Sequence, residues 1–288
     1  MDAFLHQILS GLANGGIYAS VALSLVMIYR STHHINFAQG EMAMFSSYIA
    51  WSIMQAGYSY WLAFAVTVAI SFVVGVVIER IVLRPVSASN PLGLVTVFIG
   101  LLVIFNSVAG WFFGYTTKPF PSPFPESLGG RFLSPHEAGA ILVTLVVLAA
   151  VFLFFRLTPL GLAMRAAAFN PTSSRLVGIR VGWMFALGWG LAAAIGSIAG
   201  MMVAHAVFLE PNMMSGVLLY AFAGALLGGI DNPPGAVAGG FIIGVLENLV
   251  GAYLIGTELK LTVALVIIVG VLLVRPAGLF GKVTVSRV

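Results

Sequence analysis

The 288-residue chain contains no cysteine. Disulfides, thiolate nucleophiles and Cys-based metal sites are therefore excluded. Charge is nearly as scarce. Only 8% of residues are Asp, Glu, Lys or Arg, against roughly 25% in soluble globular domains. Also missing is the phosphate-binding signature G-x-x-x-x-G-K-[ST]; "GLFGK" at 278–282 lacks both its spacing and its Ser/Thr. Any work driven by ATP must come from a separate chain. No grouping of His, Asp and Glu suggests a catalytic set or a metal site. His33 and His34 are adjacent, so on a helix they point about 100° apart and share a metal poorly. His205 stands alone in an apolar run, where a helix-packing hydrogen bond and a proton relay are both open readings.

What the chain has is apolar surface: 60% of its residues are hydrophobic. No water-soluble fold of this length hides so much, so the bilayer is its solvent. The net charge of +4 does not point to nucleic acid, because the basic residues are scattered through short loops without an aromatic-interleaved patch. A spanning helix needs about 20 mostly apolar residues. Nine runs are candidates: 8–29, 38–56, 61–79, 92–113, 138–155, 182–209, 217–230, 234–254 and 259–274. The run 217–230 is short for a crossing and is expected to be broken or re-entrant, which is tolerated only inside protein. The start, "MDAFLHQILSGLANGG", lacks a Lys/Arg-rich leader segment and reads as a retained first span. The expectation is an all-α polytopic membrane protein forming one transmembrane domain over residues 1–288.

Positive charge sets orientation. With the loop 156–181 in the cytosol, Arg156, Arg165, Arg175, Arg180, Arg30, Arg80, Arg84, Arg275, Lys282 and Arg287 share that side. Lys118, Arg131 and Lys260 fall outside. This bias predicts an external N-terminus and a cytosolic C-terminus. The largest outer loop, 114–137, is proline-rich and reads as a connector.

The cytosolic stretch "RLTPLGLAMRAAAFNPTSSRLVGIRVGW" (156–183) carries two helix starts, Thr158-Pro159 and Asn170-Pro171. Gly178 stands where a glycine would end the second helix. Two helices, about 159–169 and 171–177, are predicted. Small residues and arginines on such a knob suit docking of another subunit; a surface helix that merely covers the bundle is the other open reading. Gly161, Arg165, Ala166, Ala167, Asn170, Arg175 and Gly178 are its candidate coupling residues.

Polar residues inside apolar runs are costly and usually face a cavity or a partner. Asn14, Glu41, Asn106, Asn212, Asp231, Asn232, Glu247 and Asn248 are of this kind. "INFAQGEMAMF" (35–45) places Asn36, Gln39 and Glu41 together. From sidedness this run belongs at the cytosolic end of the second span, where Asn36 caps a helix and Glu41 meets its dipole. Asn36, Gln39, Glu41, Asp231, Asn232 and Glu247 are the candidate pathway or gate residues. Asp231-Asn232-Pro233-Pro234 is either an ordinary turn or a broken helix lining a route. Gly196-x3-Gly200 and Gly240-x3-Gly244 are expected to let helices pack closely.

Six stretches in order carry a family resemblance: "GGIYASVALSLVMIY" (15–29), "INFAQGEMAM" (35–44), "ERIVLRPV" (79–86), "GLAMRAAAFNPTSSRLVGI" (161–179), "GGIDNPPGAVAGG" (228–240) and "RPAGLFG" (275–281). The chain resembles the permease subunits of ABC-type branched-chain amino acid importers, nearly end to end, which implies one permease domain of about eight transmembrane helices with the ABC importer permease fold. The resemblance implies a heterodimer with a second, homologous permease, two ABC ATPase subunits using ATP and magnesium, and a periplasmic substrate-binding protein. It implies no cofactor on this chain, no enzymatic activity of its own, and residence among the lipids of a bacterial inner membrane. It also implies that the loop 156–181 docks in the ATPase. Two departures stand out: Thr172-Ser173-Ser174 where relatives often carry Glu-Ala-Ala, and Gln39 where His is common. The substrate implied is a branched-chain or related amino acid; urea, amides and aromatic acids belong to the same importer class. The reading from another class is an ion-coupled carrier working alone, with Glu41, His205 and Glu247 as its only relay candidates; a membrane enzyme is more remote, for want of a catalytic set.

Overall fold

The structure is a computed structural model. It describes residues 2–281 except 33, 88–90, 126, 128–129, 131–132 and 257–258. His33, Arg131, Lys282 and Arg287, used above for metal binding or sidedness, lie outside the described residues. Twelve helices follow one another among those described: α1 (Asp2–Thr32), α2 (Gln39–Gln55), α3 (Tyr60–Val77), α4 (Arg84–Ser87), α5 (Pro91–Phe113), α6 (Pro135–Leu157), α7 (Pro159–Phe169), α8 (Pro171–Leu176), α9 (Val181–Val207), α10 (Met214–Gly228), α11 (Pro233–Val250) and α12 (Lys260–Val274). The one β-type pairing among the described residues is a bridge between Lys118 and Leu209. The fold is all-α and polytopic, as the composition requires.

All nine apolar runs contain a helix, but they are not nine equal crossings. Six helical stretches are long and apolar enough to span: Asp2–Arg30, Tyr60–Val86, Gly93–Phe113, Pro135–Leu157, Val181–Val207 and Pro233–Leu254. The others, α2, α10 and α12, have 17, 15 and 15 residues. At 1.5 Å per residue they reach only about 22–26 Å, short of a hydrocarbon core of about 30 Å. The third span stays helical from Tyr60 to Val86 by passing through a π-turn at Ile78–Leu83. Such a turn inserts an extra residue and re-aims the side chains around it. Here it sets the Arg80 guanidinium over the Trp183 ring, 3.6 Å from its centroid.

Contacts divide the chain into two compact units: 1–26, 122–144 and 215–288 form the first, 27–121 and 145–214 the second. The first unit is closed by glycines. A Cβ added at Gly11 or Gly15 of α1 would lie 2.9 Å from the backbone of Val245 or Phe241 in α11. Glycine on both helices, including Gly240 and Gly244, permits this backbone-to-backbone approach. In the second unit α9 is the axis. Its buried run Ala192–Ser197 presents little beyond methyl groups, so α2 and α3 both pack closely against it.

Candidate functional site

The second unit holds the "INFAQGEMAMF" stretch. Ala38, not Asn36, directly precedes α2, and it offers no side-chain cap. Asn36 instead closes the turn before the helix: its Oδ1 accepts from the Ala38 amide at 3.0 Å. Its Nδ2 donates to Gln39 Oε1 at 3.4 Å. Gln39 Nε2 in turn donates to the Ala192 carbonyl of α9 at 3.0 Å. Both side chains are wholly buried. Gly196 makes room for the Gln39 amide, and a Cβ at Gly200 would come 2.5 Å from the Ala43 carbonyl.

These contacts correct the expected position of the motif. Ala192 lies eleven residues beyond Val181, the first residue of α9, or about 17 Å along the helix. On α5, Asn106 contacts Glu41 and lies fifteen residues from Pro91 and seven from Phe113, about 22 and 10 Å from the two ends. Helices α2 and α5 run parallel, with Phe45 against Phe105 and Tyr48 stacked on Phe113 at 4.5 Å. So α2 starts opposite the interior of two long helices, not at a membrane face. Sidedness alone misplaced it, because charge near the preceding helix says nothing about how far the chain climbs back before the next begins.

Glu41 sits at this inner start and is buried. Asn106 Nδ2 donates to Glu41 Oε2 at 3.3 Å, and the same nitrogen lies 2.9 Å from the Pro211 carbonyl oxygen and 3.1 Å from Asn212 Oδ1. Among the described residues no cation pairs with Glu41. Pro211 and Asn212 reach this level through a strained reversal. Phe208 has φ +65°, the one positive value among described non-glycine residues, in a region costly for a bulky side chain. Leu209 then exchanges two backbone hydrogen bonds of 2.9 Å with Lys118. Asn106 is half-buried and Asn212 exposed, so the cluster reaches the protein surface. Asn106 and Asn212 were singled out in the sequence only as isolated polar residues; their meeting with Glu41 depends on the reversal at Phe208, which no local signal announces.

One α-helical turn beyond Glu41 lies a cavity of about 100 Å³, lined by Met42, Phe45, Ser46, Ile49, Ser71, Val74, Phe105 and Ala193. Ser71 Oγ donates to Ser46 Oγ at 2.8 Å, and Ser46 Oγ donates to the Met42 carbonyl at 2.7 Å. Both hydroxyl protons are thereby engaged, and the rest of the wall is apolar. Elsewhere in this unit, His205 Nδ1 lies 2.8 Å from the Phe120 carbonyl oxygen, the geometry of a packing hydrogen bond.

In the first unit Glu247 is tied down. Tyr18 Oη donates to its Oε2 at 2.8 Å, and Lys260 Nζ lies 3.4 Å from its Oε1. Lys260 also donates to Asn248 Oδ1 at 3.3 Å, while Asn248 Nδ2 donates to the carbonyl and side-chain oxygens of Gln7, both at 2.8 Å. Lys260, counted among the external charges, is neutralised within the protein. Asp231 is exposed. Asn232 caps α11 by accepting from the Gly235 amide at 3.3 Å, and its Nδ2 donates to the Phe280 carbonyl at 2.9 Å. The tail binds the end of α10 as well, through Leu279 N to the Leu227 carbonyl at 2.7 Å. The stretch at 231–234 is thus a stapled turn between α10 and α11.

The coupling stretch forms as read. Thr158 Oγ1 accepts from the Gly161 amide and Asn170 Oδ1 from the Ser173 amide, each at 2.9 Å, and Gly178 has φ +85°. The faces divide. Gly161, Met164 and Ala167 turn inward, and a Cβ at Gly161 would strike the Phe154 carbonyl and the Phe155 backbone. Ala166 is half-buried, whereas Arg165, Asn170, Arg175 and Gly178 are exposed. Beside them Phe169 is 92% and Leu176 84% exposed. These two apolar side chains belong to the outward face that the sequence reading credited to alanine, glycine and arginine.

Residues 7–272 match the family described as "Branched-chain amino acid transport system / permease component". The chain belongs to this family. The permease is 31% identical to the high-affinity branched-chain amino acid transport system permease protein LivH of Escherichia coli, over 99% of this chain and 98% of that one. It is 30% identical to BraD of Pseudomonas aeruginosa with the same coverage. It is 27% identical to a probable LivH of Methanocaldococcus jannaschii, over 91% of this chain and 87% of that one. Among solved structures, PsaBC from Streptococcus pneumoniae in complex with Fab superimposes with a TM-score of 0.52 at 11% identity, covering 93% and 91% of the two chains. That likeness concerns the fold. The family expectation drawn from the six stretches is borne out: this is an ABC-type permease subunit. Among the described residues no group of three or more His, Asp or Glu could hold a metal ion.

Proposed function

We propose that this permease carries branched-chain amino acids inward across a bacterial inner membrane, as one of two related membrane subunits of an ATP-driven importer. Two ATPase subunits using ATP and magnesium energise it, and a periplasmic binding protein delivers the solute. The N-terminus is periplasmic and the C-terminus cytosolic. The chain itself binds no cofactor.

The observation that carries this reading is the polar surface at Asn106 and Asn212, backed by the buried Glu41. It lies about 10 Å inside the end of α5. Amides exposed at that depth are incompatible with lipid, so this face borders a water-filled route shared with the second permease. Asn36 and Gln39 hold the start of α2 against α9, and Glu41 stands on the route. Glu247 keeps its fold role beside Lys260, with Asp231 and Asn232 at the turn of the α10–α11 hairpin. Helices α7 and α8 receive the ATPase through Arg165, Phe169, Arg175 and Leu176. Their inward residues Gly161 and Ala167 seat the knob on the permease, and Ala166, Asn170 and Gly178 shape it.

The test is reconstitution of the permease with its second subunit, the ATPases and the binding protein in liposomes. Leucine, isoleucine or valine is expected to accumulate only with ATP and loaded binding protein. Gradient-driven uptake by the single chain, or a complex that moves urea, amides or aromatic acids and none of these three, overturns the reading.

A further inference from the structure

We infer that Glu41, Asn212 and the Pro211 carbonyl form a transit site for the α-ammonium group of an amino acid, with the adjoining cavity taking its branched side chain. The inference rests on the importer reading above and adds to it a place where substrate is held.

Three oxygens converge on one nitrogen. Glu41 Oε2, the Pro211 carbonyl and Asn212 Oδ1 lie 3.3, 2.9 and 3.1 Å from Asn106 Nδ2. A primary amide carries two N–H donors, so it cannot serve all three. An ammonium group carries three and matches the set. One of the acceptors is a buried carboxylate that no cation among the described residues neutralises. A carboxylate held at this depth calls for a positive partner. Asn106 Nδ2 now stands where that partner fits. Rotation of the Asn106 side chain frees that place.

The cavity supplies the second half. Phe45 follows Glu41 by one helical turn and Phe105 immediately precedes Asn106; their rings meet edge-on at 5.4 Å and both line the cavity, together with Met42, the residue after Glu41. An apolar cavity of roughly 150 Å³ accepts the six carbons of benzene. On the same scale the cavity of about 100 Å³ accepts the four carbons of an isobutyl or sec-butyl group. Its two serine hydroxyl protons are already engaged, so it has no hydroxyl donor left over and is otherwise lined by apolar side chains. Ammonium oxygens and an aliphatic pocket side by side are the two features of a branched-chain amino acid.

Isoamylamine is leucine without its carboxylate, and isocaproate is leucine without its ammonium. On the reconstituted complex, isoamylamine is expected to inhibit ATP-driven leucine uptake, and isocaproate is not. On the purified complex in detergent, isoamylamine is expected to raise the Tm. Glu41→Gln should weaken both effects by at least about tenfold, the scale of losing one member of a buried charge pair. Val74→Phe or, independently, Ile49→Phe should weaken isoamylamine while leaving methylamine unchanged. Equal inhibition by isocaproate, or an undiminished isoamylamine effect in Glu41→Gln while wild-type uptake is intact, overturns the site and leaves the importer reading standing. If the wild type transports no amino acid, the importer reading fails, and the Tm series alone decides the ammonium site.

Discussion

At the residue scale, two buried acids of this permease, Glu41 and Glu247, are met in opposite ways. Glu247 has Tyr18 and Lys260; Glu41 has an amide and no cation among the described residues. The difference is testable by double-mutant analysis. Lys260→Met strands Glu247 without its counter-charge, and breaking a buried pair from one side costs about 3–5 kcal/mol. The Lys260→Met, Glu247→Gln double variant should recover most of that loss, because no charge is left unpaired. Thermal denaturation of the four proteins in detergent checks it; additive losses would count against a coupled pair. Sequence could mark both carboxylates as expensive but could not sort them. The partners of Glu247 stand on other helices, Tyr18 on α1 across 229 positions and Lys260 on α12, and a pattern read along one helix does not reveal what its neighbours bring.

At the element scale, α2 depends on small residues of its neighbour. The close approach of α2 to α9 is licensed at Gly196 and Gly200, and the spacing of that pair was legible. Gly200→Val would drive a Cβ to 2.5 Å from the Ala43 carbonyl. Overpacking of this kind costs about 1–3 kcal/mol. The expected outcome is a lower Tm and a lower folded yield, read by size-exclusion chromatography, whereas Gly200→Ser at the same site should be milder than Val. The coupling helices were the most legible elements of all. Their caps, Thr158 and Asn170, act within three residues, so sequence distance and spatial distance coincide. The start of α2 was misread for the converse reason. Its depth is fixed by Gln39 on Ala192 and Glu41 on Asn106, contacts made across 153 and 65 positions.

At the scale of the whole molecule, the proposed function has ATP hydrolysis reach the route through α7 and α8. The outward face there is apolar as well as basic, with Phe169 and Leu176 nearly fully exposed. Phe169→Asp and Leu176→Asp, singly, should lower ATPase co-purification by about tenfold or more, since central apolar anchors cost about 2 kcal/mol or more when lost. Expression of the permease itself should be unchanged, because neither side chain is packed in the fold. Gly161 behaves differently: bulk there strikes the permease backbone, so its variants report on folding before docking.

The first unit is assembled from the two ends of the chain, residues 1–26 and 215–288 flanking a central segment. Tyr18 and Glu247 meet across 229 positions. Synthesis at roughly 5–20 residues per second separates their appearance by about 10–50 s. Throughout that interval the glycine face of α1 lies in the membrane without α11 against it, and Tyr18 without its carboxylate. The glycine seam between α1 and α11 therefore closes only late in synthesis, long after α1 itself has been made.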